Sequence, residues 1–265
     1  MTDRAAGASA RGPSAAVRWV GHATVLLEDG PTTLLTDPVL TSRVGHLRRR
    51  RGPDPLRGAD PPTRPDAVLL SHLHADHTHV PSLRLLDGRV PIVVPRGAVD
   101  AFAGLRRFGD RLVELAPGEQ ATVGTVTVRA VPADHDGRRW PRGPRVRAVG
   151  YVIEGAVTTY FAGDTALDPG IAAWVPACDL ALLPVGGWGP NLGPGHLDPA
   201  SASRAARLVS AALTVPVHFG TLWPIGMDAV RPRRFTEPGG DLVRRVAAEG
   251  MRAVELAPGQ RLRVR

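Results

Sequence analysis

The chain has 265 residues, 43% of them hydrophobic, which is enough for one large domain with its own core. Its single cysteine, Cys178, excludes an internal disulfide and favours a reducing, cytoplasmic location, and no apolar run reaches the length of a membrane span. The formal net charge is +8, and all 33 basic residues are arginine, which reflects either a compositional bias or attraction to anionic partners.

Two early stretches have little apolar periodicity. Residues 1–15 are small and polar and have no apolar signal-peptide core, so we expect a disordered tail before a single domain of residues 16–265. Residues 41–65 are rich in Pro, Gly and Arg and predict a long loop. Four adjacent arginines lie in this loop: Arg48, Arg49, Arg50 and Arg51. Like charges repel, so we expect solvated side chains that draw in an anionic substrate or membrane surface, unless the run is compositional bias.

The remaining sequence predicts short strands, tight turns and a few helices. The predicted strands cover, in chain order, residues 17–28 (as one or two strands), 32–36, 66–70, 91–95, 113–116, 122–131, 150–154, 158–162, 180–185 and 215–218. Helices are predicted from about residue 80, over 97–107, from 198 to about 213, and over 242–248.

The densest group of potential metal ligands follows the strand at 66–70. Four of the nine histidines lie between residues 72 and 79, which chance clustering of surface histidines explains poorly. In extended backbone His72, His74 and Asp76 point the same way, and His77 is turned aside as the helix begins. Imidazole and carboxylate ligands suit zinc. The loop therefore predicts two metal half-sites on one strand-to-helix connection.

Three further potential ligands stand where apolar strands end. His135, Asp164 and His218 each follow such a strand. Each alone is more often an ordinary loop residue. Because sites form at one end of a sheet, their shared position makes them candidates for the same site as the ligand loop.

The motif His72-x-His74-x-Asp76-His77 resembles that of the metallo-β-lactamase superfamily of metal-dependent hydrolases, and the resemblance extends from about Trp19 to Gly220. It implies an α/β fold, a four-layer αββα sandwich, and two divalent metal ions per chain that share a hydroxide. Zn²⁺ is expected, with Mn²⁺ or Fe²⁺ as alternatives.

The resemblance also implies a division of the ligands. His72, His74 and His135 would hold the first metal, Asp76, His77 and His218 would hold the second, and Asp164 would bridge them. Redox relatives with two irons carry Glu at the position of His74, so the histidine favours hydrolysis.

Additional segments resemble one branch of the superfamily. They include Trp19-Val20-Gly21-His22-Ala23-Thr24 and Gly195-His196-Leu197-Asp198-Pro199. The branch contains N-acyl-phosphatidylethanolamine-hydrolysing phospholipase D, and ascorbate-6-phosphate lactonase-like proteins form a neighbouring branch. We therefore expect a phosphodiesterase acting on a small-molecule or lipid phosphate-containing substrate. A lactonase or other ester hydrolase is the alternative. A nucleic-acid-binding protein with a structural metal site is disfavoured, because structural sites are closed and lack a carboxylate bridge.

Further residues complete the predicted site. With Asp76, His196 is the predicted catalytic residue, placed to contact substrate or protonate a leaving group, unless it only marks the helix entry. We expect Asp37 and His22 to contact the metal-binding side chains and orient them. Alternatively, Asp37 is only a turn former and His22 only a buried histidine. Trp188 and Trp223 would wall a substrate pocket or cover the core.

Overall fold

The computed structural model describes residues 15–139 and 143–264. The predicted tail lies outside these residues except for Ala15, which begins the first strand. No helix in the described ranges is long and apolar enough to cross a membrane.

Short strands dominate the described structure. The strands are β1 (Ala15–Gly21), β2 (Thr24–Asp29), β3 (Thr32–Thr36), β4 (Arg43–Val44), β5 (Leu47–Arg49), β6 (Ala67–Leu69), β7 (Ile92–Pro95), β8 (Leu112–Leu115), β9 (Gln120–Val123), β10 (Val126–Pro132), β11 (Val149–Glu154), β12 (Thr158–Phe161), β13 (Leu180–Pro184), β14 (Thr214–Val217), β15 (Leu222–Pro224) and β16 (Arg261–Val264). The helices are α1 (Val80–Leu83), α2 (Ala98–Ala101), α3 (Ala103–Arg106), α4 (Pro199–Leu208), α5 (Pro232–Thr236) and α6 (Pro238–Ala248).

The strands form two large sheets and one small one. The first sheet has the order β16-β1-β2-β3-β6-β7-β8, and the second has the order β14-β13-β12-β11-β10-β9. Strands β3, β6, β7 and β8 run parallel, as do β12, β13 and β14. The small sheet, β15-β5-β4, joins the early loop to the segment after β14. In parallel strands the carboxyl ends lie at one edge, which is where loops can form a site.

The main core lies between the two large sheets. Val17 and Leu27 of the first sheet and Val128, Tyr151 and Phe161 of the second belong to one buried apolar cluster. The helices cover the outer faces, with α4 and α6 against β13 and β14, and α2 against β7 and β8. The predicted four-layer αββα sandwich is therefore confirmed.

The structure differs from the sequence prediction in three elements. The predicted 41–65 loop contains β4 and β5. The predicted strand at 122–131 is a hairpin that turns at Gly124, whose φ of 54° suits glycine. The predicted helix at 97–107 is broken at Phe102, whose backbone is extended. Its ring lies so close to Gly104 that a Cβ there would come within 2.5 Å of the ring, so the local packing holds the break.

Candidate metal centre

The predicted ligands are brought together by strand ends. Strand β6 leads directly into the loop that carries His72, His74, Asp76 and His77. The other three follow strands of the second sheet whose carboxyl ends lie at the same edge: His135 after β10, Asp164 after β12 and His218 after β14. Both sheets therefore contribute side chains to the same site.

A glycine allows the two sheets to approach each other here. Gly163, directly before Asp164, has a φ of 62°, and a Cβ at this position would lie 2.6 Å from the Cβ of Ser71. Only glycine fits both the left-handed backbone and the close contact. Gly163 thus sets Asp164 against the ligand loop.

The ligand loop is held by its own hydrogen bonds. The Thr78 hydroxyl donates to the His72 carbonyl at 2.6 Å, and the His77 and Thr78 amides donate to the His74 carbonyl at 3.1 and 2.8 Å. His79, the fourth histidine of this stretch, is only 7% exposed, and its Nδ1 lies 2.7 Å from the Ser82 hydroxyl. His79 therefore stabilises the start of α1.

The side chains form two clusters of potential metal ligands. Within each cluster the donor atoms lie within 4.8 Å of one another. One cluster comprises His72, His74, His135 and Asp164, and the other comprises His22, Asp76, His77 and His218. The clusters group the residues that the resemblance assigns to the first and second metals, with Asp164 in the first cluster and His22 added to the second. Their role as metal ligands stays a prediction.

Asp164 lies between the clusters. Its Oδ2 is 3.2 Å from His77 Nε2, 3.3 Å from His218 Nε2 and 3.9 Å from His72 Nε2. The other oxygen, Oδ1, is buried without a hydrogen-bond partner among the described residues. Because a buried carboxylate oxygen without a donor is costly, this atom fits a role as a metal ligand.

The imidazoles are oriented by oxygen acceptors behind them. In four rings Nδ1 faces an oxygen: His72 faces Ser71 Oγ at 2.9 Å, His77 faces Asp37 Oδ2 at 2.7 Å, His135 faces the Gly195 carbonyl at 2.7 Å and His218 faces the Gly186 carbonyl at 2.9 Å. A ring that donates from Nδ1 presents the lone pair of Nε2 on its other side. The Nε2 of His72 is buried and has no hydrogen-bond partner in the described part of the chain. This donor set fits a divalent metal ion bound by imidazole.

Asp37 lies directly behind the ligand loop. Its carboxylate is fully buried and accepts from the Ser71 amide at 2.7 Å, the Ser71 hydroxyl at 2.6 Å and His77 Nδ1 at 2.7 Å. These bonds fix the start of the loop and the orientation of His77 together.

His22 contacts Asp76 in a different way from the other imidazoles. Its Nε2 lies 2.7 Å from Asp76 Oδ2, and its buried Nδ1 has no hydrogen-bond partner within residues 15–139 and 143–264. A proton on Nδ1 would have no acceptor, so the proton belongs on Nε2, where it is donated to the carboxylate. Burial lowers the pKa of His22 to about 3, so the ring is neutral. His22 therefore orients Asp76. Its fixed geometry, with φ at 56°, was not evident from sequence.

His196 lies at the open side of the centre. Its Nε2 is 3.4 Å from Asp164 Oδ2, its ring is 4.7 Å from the His135 ring, and its side chain is 18% exposed. Burial opposes the charged form, but the hydrogen bond to Asp164 and the charge of Asp164 outweigh it and raise the pKa of His196. A protonated imidazole is thus available where substrate can enter.

The charge states of the ligand histidines differ in the metal-free protein. Burial, followed by the neighbouring imidazoles, lowers the pKa of His72, and burial lowers that of His74 to about 4. Burial also disfavours the charged form of His77, but the carboxylates of Asp164, Asp76 and Asp37 outweigh it and raise its pKa well above the usual value. A proton on His77 Nε2 accounts for the 3.0 Å contact with His218 Nε2.

We therefore expect metal binding at pH 7 to displace at least about one proton per chain, since a ligand imidazole must be neutral. Because the carboxylates around His77 raise its pKa above the usual imidazole value, metal affinity should keep rising with pH from pH 7 towards pH 8. If His77 had the pKa of an ordinary imidazole, it would already be almost entirely neutral in this pH range, and metal affinity would level off. Calorimetric titration in two buffers of different ionisation enthalpy measures the proton count. An affinity that does not change over this pH range would contradict a protonated His77.

The four adjacent arginines do not share one environment. Arg49 is partly buried and donates to the carbonyls of Val20 at 3.1 Å and Val39 at 2.7 Å, so the prediction of a solvated run is wrong for Arg49. Arg50 is paired with Asp228, whereas Arg48 is exposed. The cause is β5, which sends successive side chains to opposite faces. A substrate-binding role for Arg48, Arg50 and Arg51 stays a prediction.

The two tryptophans also differ. Trp223 is 1% exposed, and its Nε1 donates to the Met227 carbonyl at 2.9 Å, so the prediction of a pocket wall is wrong for this residue. Trp188 is 38% exposed, and its ring lies 5.1 Å from that of His46 in an edge-on contact. Of these two tryptophans, only Trp188 is exposed enough to contact a substrate.

Three comparisons place the chain among known proteins. A metal-dependent hydrolase of Methanosphaerula palustris is 33% identical over 80% of this chain and 86% of its own length. The N-acyl-phosphatidylethanolamine-hydrolyzing phospholipase D 1 of Caenorhabditis elegans is 29% identical over 78% of this chain and 64% of its own length. The structure of a metallo hydrolase from Ignicoccus hospitalis superposes with a TM-score of 0.71 at 19% identity, covering 95% of this chain and 99% of that one.

The family model agrees with these similarities. The model described as the β-lactamase superfamily domain matches residues 32–219, which include all seven predicted metal ligands. The fold agrees with this match. The chain belongs to the metallo-β-lactamase superfamily and is a metal-dependent hydrolase.

Proposed function

We propose that this hydrolase is a phosphodiesterase whose centre binds two divalent ions bridged by Asp164. The position of Asp164 carries the proposal, because one carboxylate faces both ligand clusters and its second oxygen is buried without a partner. The name of the Caenorhabditis elegans relative, a phospholipase D, supports a phosphodiester substrate.

The proposed ligands follow from the two clusters. His72, His74 and His135 would hold the first ion, and Asp76, His77 and His218 would hold the second. When bound, the ions supply Lewis acidity and lower the pKa of a bound water to roughly 7. Zn²⁺ suits the imidazole-rich set, and Mn²⁺ or Fe²⁺ are alternatives. His22 and Asp37 keep Asp76 and His77 aligned.

His196 supplies the proton that a phosphodiester needs on its departing oxygen. Its Nε2 points to Asp164, its pKa is raised, and its side chain remains partly exposed. A protonated imidazole beside the reacting group can donate as the ester bond breaks. The substrate is a small-molecule or lipid phosphate, and the exposed Arg48 and Trp188 are suited to its anionic and apolar parts.

We expect His196→Ala to lower turnover of an alkyl phosphodiester by about 10²-fold or more, because a poor leaving group needs the proton. Turnover of a nitrophenyl phosphodiester should fall far less, since that group departs unprotonated. Steady-state kinetics of both substrates with the metal-loaded enzyme measure the two effects. Arg106→Ala is the control, because Arg106 is an exposed side chain outside both clusters.

Two results would contradict the proposal. Equal losses on both substrates would mean that His196 positions substrate without donating a proton. A metal-loaded wild-type enzyme that cleaves lactones or carboxylic esters but no phosphodiester would replace the phosphodiesterase with an ester hydrolase.

A further inference from the structure

Arg139 reaches the ligand loop from a different part of the chain. It lies four residues after His135, in the connection that follows β10, and it is partly buried. Its Nη1 donates to the Leu73 carbonyl at 2.9 Å and to the Thr78 carbonyl at 2.8 Å. These two carbonyls flank the part of the loop that carries His74, Asp76 and His77. One guanidinium nitrogen therefore holds both ends of the ligand segment.

Among the described residues, the loop itself supplies no donor to either of these two carbonyls. Thr78 Oγ1 serves the His72 carbonyl, and the amides of His77 and Thr78 serve the His74 carbonyl. Leu73 and Thr78 are fully buried. A buried carbonyl without a donor costs roughly 1–3 kcal/mol, so removal of the guanidinium favours a rearranged loop.

A third element fixes the guanidinium in place. Its central carbon lies 4.3 Å from the centroid of the Phe102 ring, at the break between α2 and α3. The planar face of arginine stacks on an aromatic ring, which an ammonium group on a flexible stem does not do. Lysine is also one atom shorter than arginine. The position therefore requires arginine itself.

We propose that Arg139 is a positioning residue for the metal centre, one that locks the ligand loop to the segment carrying His135. The inference rests on the proposed metal binding. Through Arg139, the segment after β10 sets both its own ligand, His135, and the loop that holds most of the others. Arg139 thereby fixes the position of the two ligand clusters relative to each other.

The opposing view is that the positive charge of Arg139 merely opposes cation binding. The two views predict opposite changes in metal affinity when Arg139 is replaced by Met. If charge dominates, Arg139→Met should tighten metal binding and Arg139→Lys should leave it unchanged. If Arg139 positions the loop, both variants should weaken metal binding, because neither retains the paired donors on the ring face.

The experiment compares wild type, Arg139→Lys, Arg139→Met and the control Arg106→Met. Arg106 is exposed and also donates to two backbone carbonyls, those of Val99 at 3.3 Å and Asp100 at 2.6 Å, away from the metal centre. Zn²⁺ affinity is measured by chelator competition on folded, metal-free protein. The visible spectrum of the Co²⁺-loaded protein reports ligand geometry, and circular dichroism checks folding.

We expect both Arg139 variants to lose about 10-fold to 100-fold in Zn²⁺ affinity and to show an altered Co²⁺ spectrum. Arg106→Met should stay within about twofold of wild type. If Arg139→Met does not fold, the Zn²⁺ affinity of Arg139→Lys decides between the two views. Wild-type affinity in Arg139→Lys, or tighter binding in Arg139→Met, would overturn the positioning role. A wild-type protein that binds no metal would instead overturn the proposed function.

Discussion

Replacing Asp164 with Asn is expected to abolish most activity and to weaken the binding of both proposed metal ions together. The change keeps the shape of the side chain but removes the negative charge that faces His72, His77 and His218. Metal ions contribute several kcal/mol of charge stabilisation in the transition state. Since each 1.36 kcal/mol is tenfold in rate, the loss should be on the order of 10³-fold or more.

Elemental analysis and activity assays on the same preparations measure both effects of Asp164→Asn. Asp179→Asn is the matched control, because Asp179 is an exposed carboxylate that accepts from the Thr158 amide at 2.7 Å, outside the two clusters. If the Asp164 variant kept a full complement of metal, Asp164 would not bridge the ions. One tightly held ion in both proteins would argue for a mononuclear centre.

Much of the metal centre could be predicted because its signals are local. The motif from His72 to His77 is contiguous, and His135, Asp164 and His218 each follow an apolar strand. Topology then brings these strand ends to one edge. Residue type and strand position therefore indicated the candidate ligands without knowledge of their contacts.

The environments that depend on distant pairing could not be predicted. Arg49 is partly buried because β5 pairs with β15, whose residues come more than 170 positions later. The burial of Trp223 has the same cause. The sequence of the four adjacent arginines does not indicate which of their side chains will be buried. Likewise, the ring of Phe102, at the break in the predicted helix, packs against Arg139, a contact between separate segments that the sequence pattern does not show.

His22 shows a third kind of limit. Its position at the irregular junction of β1 and β2 gives it a φ of 56° and turns its ring toward Asp76. The backbone is held by a bond from the His218 amide to the His22 carbonyl at 2.9 Å and by one from the His22 amide to Thr221 at 2.9 Å. Sequence indicated only that His22 was either buried or near the ligands.

Replacing Asp37 with Asn is expected to damage metal binding through the tautomer of His77. Asp37 accepts three hydrogen bonds, from the Ser71 amide, the Ser71 hydroxyl and His77 Nδ1. An asparagine has one acceptor oxygen and one donor group. Asparagine also tolerates the left-handed backbone at this position, where φ is 33°, so the backbone conformation should survive the change.

Either orientation of the asparagine is unfavourable. If its oxygen faces the Ser71 amide, its NH₂ group faces His77 Nδ1, so the ring proton must move to Nε2, the atom proposed to bind metal. If its oxygen faces His77, its NH₂ group opposes the buried Ser71 amide and leaves donors unsatisfied. We therefore expect metal affinity to fall by about 10-fold to 100-fold, as is typical when a partner of a metal-bound histidine is lost.

Ser71→Ala separates the two contributions, because it removes the hydroxyl bonds to Asp37 and His72 and leaves the contact between Asp37 and His77. Its cost in unfolding free energy should be about 0.5–1.5 kcal/mol for each bond lost. Ser71→Ala removes the acceptor behind His72 Nδ1 but places no donor against it, whereas Asp37→Asn forces the proton of His77 onto Nε2. Metal affinity should therefore fall less in Ser71→Ala than in Asp37→Asn if the tautomer of His77 is the decisive factor. Chelator competition and denaturant unfolding of the metal-free proteins measure the two quantities. Equal losses of metal affinity would show that Asp37 acts by supporting the loop backbone, and the tautomer argument would then be wrong.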